Sequence, residues 1–182
     1  MNYHNITKDD MLNGDGLRVV LWVAGCSHQC PGCHNQETWD EFGGIPFDDE
    51  AKQEIFAELE KDYVTGITFS GGDPLFCSNR EVITALAKEI KEKYPDKTIW
   101  LYSGYVYEQV KDIEIMQYVD VFVDGPFVQA LLDPQLKWKG SSNQKVIDMN
   151  KTRCIGSIVL YADNNYDAID DCRVGKSCGC GF

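Results

Sequence analysis

Nowhere does the sequence contain an apolar run of the roughly 20 residues that cross a bilayer, so no segment is a candidate for a spanning helix. A secretion signal is missing too. Met1 to Asp15 is polar, carries Asp9, Asp10 and Asp15, and has neither a basic start nor an apolar stretch. The protein is expected in the cytoplasm, with no membrane partner. Positive charge is scarce: 17 Lys and Arg face 29 Asp and Glu, a formal net charge of −12. Such a chain repels nucleic-acid phosphates, so a protein or small-molecule partner is expected and nucleic acid is not. Internal repeats and low-complexity tracts are absent as well. What remains, 43% hydrophobic and 25% charged residues, is the balance of a soluble globular protein. At 182 residues there is enough chain for one domain with a sizeable core, and too little for two ordinary ones.

Cysteine, by contrast, is plentiful. Cys26, Cys30 and Cys33 form one cluster, Cys172, Cys178 and Cys180 another, and Cys77 and Cys154 stand apart. In a reducing compartment clustered cysteines bind metal or do redox work more often than they form disulfides.

Strand and helix signals alternate. Leu17 to Val23 is a nearly continuous β-rich apolar run that stops at Gly25, and reads as a buried strand. Phe47 to Leu59 is an amphipathic helix that Asp48 or Asp49 could start. Thr65 to Phe69 is a second strand. A helix carrying Val82, Ile83, Leu86, Ala87 and Ile90 follows and ends near Tyr94-Pro95. Thr98 to Tyr102 and Val119 to Val123 are the third and fourth strands, with a weaker helix from Tyr105 to Tyr118 between them. Gln144 to Met149 is a fifth candidate strand and Ile155 to Tyr161 another. The order predicts an α/β domain with a parallel sheet and crossover helices, open or closed into a partial barrel.

In such sheets ligands sit at the carboxyl ends of the strands. The motif-bearing loops all fall there. They are the cysteine loop after strand one, Ser70-Gly71-Gly72-Asp73-Pro74 after strand two, Ser103-Gly104-Tyr105 after strand three, and Asp124-Gly125 after strand four. Each loop also has a plain structural reading. Glycines permit a tight turn, Asp73 could cap the helix behind Pro74, and Asp124 could cap a helix before Pro126. Arg18 reads as a solvated charge.

Three thiolates on one tight loop can hold three irons of a four-iron cubane and leave the fourth open to a substrate. A structural zinc, with His28 or His34 as fourth ligand, is the competing reading of the same residues. If iron is bound, the histidines support the ligands from behind rather than coordinate.

The spacing Cys26-x₃-Cys30-x₂-Cys33 resembles that of the radical S-adenosylmethionine superfamily, although Gly32 stands where many members have an aromatic residue. The flanks Asn13-Gly14-Asp15-Gly16-Leu17-Arg18 and Cys33-His34-Asn35-x₂-Thr38-Trp39-Asp40 resemble the glycyl-radical-enzyme activases. Trp138 to Gln144 (WKGSSNQ) is similar to a stretch of the anaerobic (class III) ribonucleotide reductase activating proteins.

The resemblance covers roughly Asn2 to Thr152. It implies a single-domain partial (β/α) barrel of the radical S-adenosylmethionine type over residues 1–152, with a cysteine-containing C-terminal extension over 153–182. It implies a [4Fe–4S] cluster on Cys26, Cys30 and Cys33, with no catalytic residue beyond these ligands. S-adenosylmethionine would be bound by Asn35, Gly71, Gly72, Asp73, Ser103, Gly104 and Asp124. Pro126 stands where some relatives carry a lysine. The implied reaction is reductive cleavage of S-adenosylmethionine to place a glycyl radical on anaerobic ribonucleoside-triphosphate reductase. Electrons would come from a flavodoxin-like or other low-potential donor. Activation of another glycyl radical enzyme, such as pyruvate formate-lyase, and simple electron carriage are the alternatives. Cys154, Cys172, Cys178 and Cys180 lie beyond the matched region. They are expected to be redox-sensitive thiols of a mobile tail, ahead of a second metal site or a docking segment.

Overall fold

The computed structural model describes residues 1–161. Their strands are β1 (Asn2–Asp10), β2 (Leu17–Val23), β3 (Ile45–Pro46), β4 (Val64–Gly71), β5 (Thr98–Tyr102), β6 (Val121–Asp124) and β7 (Lys145–Asp148). The helices are α1 (Asp49–Leu59), α2 (Cys77–Lys93), α3 (Tyr107–Val110) and α4 (Met149–Ile155). All seven strands lie in one open sheet of order β3-β1-β2-β4-β5-β6-β7. No helix among the described residues is long and apolar enough to cross a membrane.

The expected parallel sheet is corrected to a mixed one. Only β2, β4, β5 and β6 run parallel to one another. Strand β1 is antiparallel to β2 and β3, and β7 to β6. The short stretch between β1 and β2 suffices for an antiparallel return, whereas the parallel neighbours β4 and β5 need a crossover, which α2 provides.

The strand alternation divides the sheet into two buried faces. On one, Leu21, Ile67, Phe69, Leu101 and Phe122 pack against Ile55 and Leu59 of α1 and Ile83, Leu86 and Ile90 of α2. These helices begin and end as their sequences direct. The Asp48 carboxylate accepts from Ala51 N at 2.9 Å and caps α1. Helix α2 stops at Lys93, just before Tyr94-Pro95. On the other face Trp100, Val121, Val123 and Val146 are covered by Trp138 and Tyr161, whose rings stand edge-on to Trp100 at 5.0 and 5.1 Å. At Gly66 a methyl group would run into the Thr98 backbone of β5. Gly66→Ala is therefore expected to cost about 2–3 kcal/mol, read from a denaturant midpoint. An unchanged midpoint would mean that β4 and β5 have room to spare.

Arg18 is not a solvated charge but a fully buried one. Its Nε donates to Thr68 Oγ1 at 2.9 Å. One terminal nitrogen donates to Asp15 O and Thr98 Oγ1, the other to Ile67 O at 2.7 Å and Thr98 O at 2.9 Å. The guanidinium lies 5.4 Å from the Trp100 ring centre. Burial pulls its pKa down to about 10, so it remains charged at neutral pH. The Asn13-Gly14-Asp15-Gly16 stretch is the cradle for this side chain. Gly14, at φ +142, leaves free the space beside Arg18 Cδ that a Cβ would enter at 2.7 Å. This end of β2 is opposite the motif-bearing loops, so the motif serves the sheet and not the site.

Two further expectations change, and one unforeseen strand appears. The polar N-terminus forms β1, with Tyr3 and Ile6 in the core. The helix expected over Tyr105 to Tyr118 is the short α3 and a separate 3₁₀ turn at Glu114–Gln117, divided by the extended Ile113. The strand expected over Ile155 to Tyr161 is instead the end of α4 and a single bridge from Leu160 to Ile147.

Candidate functional site

The carboxyl ends of β2, β4, β5 and β6 bring four loops to one edge of the sheet. The cysteine loop leaves β2 through Ala24 and Gly25. Gly25 (φ +97) donates to Thr38 O at 2.8 Å and accepts from Asp73 N at 2.8 Å, and Cys26 N donates to Trp39 O at 3.1 Å. The two legs of the loop are thereby pinned to each other and to the loop after β4. Between them the chain turns tightly, with Cys33 N donating to Cys30 O at 3.0 Å and Gly32 at φ +74. Cys26, Cys30 and Cys33 are all half-buried and none is in a disulfide. Burial pushes the Cys26 thiol up. The His28 amide opposes that shift and the Asp73 charge adds to it.

Asp73 joins three of the four loops. It is 1% exposed. Its carboxylate accepts from Leu75 N at 2.8 Å, from Ser103 Oγ at 2.9 and 3.0 Å, and from Gly104 N at 3.2 Å. His28 Nε2, from the cysteine loop, lies 2.8 Å from Asp73 Oδ2. That nitrogen is off the direction of a hydrogen bond, so the contact is one of proximity. Asp73 therefore does not cap α2, as its sequence position suggests. The helix begins later, after Phe76, with no side-chain cap. Asp73→Ala strips three groups of their hydrogen-bond partner and is expected to lower stability by about 2–3 kcal/mol. A thermal midpoint equal to that of the parent would show that water replaces the carboxylate.

The other expected site residues divide into two groups. Asn35 joins the cluster edge: its Nδ2 donates to Gly71 O at 3.5 Å, and its amide to Cys33 Sγ at 3.4 Å. Gly71 (φ +104) and Gly72 serve loop packing. A Cβ on Gly71 would meet Val23 N at 2.6 Å, and one on Gly72 would meet Gly25 O at 2.5 Å. Their bare backbone is thus used by the protein itself. Asp124 stands apart from the Asp73 group. Its carboxylate accepts from Tyr107 N at 3.0 Å and Lys145 N at 2.9 Å. It caps α3 across the sheet edge rather than a helix before Pro126. Gly125 beside it is open, with nothing closer than 3.8 Å to a Cβ.

Sequence reasoning missed two residues here. Asn79, fully buried in α2, donates to Ala24 O at 2.7 Å and Asp73 O at 3.0 Å, tying the helix to the base of the cysteine loop. No local pattern announces it. Gln129 packs on the outer turn of the cysteine loop, where a Cβ on Gly32 would come within 2.8 Å of it. The WKGSSNQ stretch proves architectural. Gln144 Oε1 accepts from Gly140 N and Ser141 N, and its Nε2 donates to Gly125 O. These bonds fold residues 125–144 back on themselves.

Among the described residues no three His, Cys, Asp or Glu side chains are gathered tightly enough to hold a metal ion as they stand. Fit is decided by the donors. Three soft thiols on one turn, with Cys77 and Cys154 placed on helices elsewhere, match a cubane that keeps one iron open. A zinc site would call on His28, whose Nε2 is instead turned to Asp73. Cys172, Cys178 and Cys180 lie outside the described residues.

The chain matches the family model described as a 4Fe-4S single cluster domain over residues 12–147. It is 44% identical over 146 residues to the anaerobic ribonucleoside-triphosphate reductase-activating protein of Enterobacteria phage T4, covering 80% of this chain and 93% of the relative. It is 41% identical over 150 residues to the proteins of that name from Vibrio cholerae and Escherichia coli K12, covering 80% of this chain and 97% of each relative.

Proposed function

The chain belongs to the anaerobic ribonucleoside-triphosphate reductase-activating proteins, and from that premise we propose how its residues carry out activation. It is an enzyme whose cofactors are a [4Fe–4S] cluster and S-adenosylmethionine, and its target is the anaerobic ribonucleotide reductase. When bound, the cluster would supply the electron for reductive cleavage of S-adenosylmethionine, and with it the radical chemistry that activates a glycine of the reductase. Cys26, Cys30 and Cys33 hold the cluster. Asn35, Gly71, Gly72, Asp73, Ser103, Gly104 and Asp124 form the S-adenosylmethionine site. Of these, Asp73, Ser103 and Asp124 act chiefly by fixing the loops whose backbone meets the cofactor, since their side chains are already engaged by protein groups.

We read the open sheet as a partial barrel of the radical S-adenosylmethionine type, whose open side admits a protein loop as substrate. The activase body spans 1–152, with 153–182 as a cysteine-containing extension. The electron donor is a flavodoxin-like or comparable low-potential protein, and the setting is the cytoplasm.

The observation that carries this reading is the three-thiol turn joined through His28 and Asp73 to the loops after β4 and β5. A simple electron carrier would have no use for a cluster loop bound to a ligand rim. The test is 5′-deoxyadenosine release from reduced protein mixed with S-adenosylmethionine and either the reductase or pyruvate formate-lyase. Release coupled to radical formation on the reductase alone is expected. Coupling to pyruvate formate-lyase instead would reassign the target.

A further inference from the structure

Apart from the packing of Gln129 on Gly32, the middle of the cysteine loop has little to hold it. Among the described residues no hydrogen bond ties the backbone of residues 27–32 to another loop. Ser27 and Gln29 are exposed, and Gln29 takes up a left-handed conformation at φ +45. Between them the side chain of His28 turns inward, and its Nε2 is fully covered. The ring stands edge-on to Tyr105, 4.6 Å between centres at 77°. It also fills the space in front of Gly104, where a Cβ would collide with its Cδ2. Behind it lies Asp73, held in turn by Ser103 and Gly104.

The geometry points to His28 as a positioning residue. Its ring, seated between Tyr105 and Gly104 against Asp73, fixes the turn between the first two cysteines and so sets how Cys26 and Cys30 present their thiolates to the cluster. This rests on the reading that those cysteines hold the cluster, and goes beyond it by naming what holds the loop. Groups that orient ligands from behind are worth 10–100-fold in metal affinity or activity. Gly104 follows as the partner position, conformationally ordinary but required to lack a side chain because the histidine ring occupies the room.

The experiment compares the reconstituted full chain with His28→Ala, His28→Gln and Gly104→Ala. It follows iron release to a chelator, the electron paramagnetic resonance signal of the reduced cluster, and the thermal midpoint. His28→Ala is expected to release iron about 10-fold faster or more, and to shift the cluster signal. Gly104→Ala should reproduce both effects, because its methyl group evicts the ring. His28→Gln, which keeps a polar side chain of similar reach beside Asp73, should recover part of the loss. The thermal midpoint of apo Gly104→Ala should stay near that of the parent, which separates loop seating from a general loss of fold. Parent-like iron release and an unaltered signal in both His28→Ala and Gly104→Ala would overturn the proposal while leaving the cluster assignment intact. A parent protein that holds no iron would overturn both together.

Discussion

Cys30→Ala is expected to bind no stable four-iron cluster and to lose S-adenosylmethionine cleavage entirely. Cys30 lies at the centre of the turn, with Cys26 on one side and Cys33, whose amide donates to the Cys30 carbonyl, on the other. Its removal leaves two thiols for a cluster that already keeps one iron open, and two are too few. The fold should not suffer. Cys30 is only half-buried, and the hydrogen bonds that pin the loop use Gly25, Cys26 and the backbone of Cys30, which alanine keeps. Iron analysis and circular dichroism on the same sample would separate the two effects. A variant that folds, lacks iron and cleaves nothing fits the assignment. A variant that still cleaves S-adenosylmethionine would place the cluster on other cysteines, including those beyond Tyr161.

Arg18→Ala should be the most damaging single change to the fold. The guanidinium serves the backbone oxygens of Asp15, Ile67 and Thr98 and the hydroxyls of Thr68 and Thr98, all around a fully buried side chain. Truncation leaves a cavity beneath Trp100 and strips those oxygens of their donor. The expected cost is about 4–5 kcal/mol, a cavity term added to several unmade hydrogen bonds. Arg18→Met separates the two contributions. It refills most of the volume but restores no donor, and should still cost about 3 kcal/mol. A buried charge is expensive to desolvate, and replacing a whole buried polar cluster with apolar residues can be neutral. Here three of these acceptors are main-chain oxygens that remain after the substitution, so the loss stands. An Arg18→Met protein as stable as the parent would show that water reaches these carbonyls.

The contrast between these two residues shows where the sequence could be read. The cysteine turn was legible because its chemistry is local. Three thiols lie within eight residues, and their spacing is itself the motif. The central strands and α1 and α2 were legible for a similar reason, since their apolar periodicity is complete within each segment. Arg18 was not, because its partners come from β4 and β5 and a charged residue is ordinarily exposed. Only the flanking glycines Gly14 and Gly16 gave any sign of a crowded cradle. Strand β1 was illegible because just Tyr3 and Ile6 of its nine residues face the core. An antiparallel strand with two register shifts carries no clean alternation. The region from Tyr105 to Tyr118 looked helical because Val110, Ile115 and Met116 are apolar, but they are buried from two separate turns that tertiary packing holds in place.

The same distinction applies within the site. Ser70 to Pro74 suggests a helix cap, and a cap needs only local sequence. Asp73 is instead committed to Ser103, Gly104 and His28, three partners brought in from two other loops. Asp124 likewise spends its carboxylate on Tyr107 and Lys145. Both residues stand at the expected places, but their work is to join loops.

Electron paramagnetic resonance of the anaerobically reconstituted, reduced protein is the decisive measurement, taken alone, with S-adenosylmethionine, and with S-adenosylmethionine and the reductase. A reduced-cluster signal that changes on adding S-adenosylmethionine and then gives way to a glycyl-radical doublet on the reductase is expected. A protein that shows no cluster signal and carries zinc in its place would refute the assignment from the cysteine turn upward.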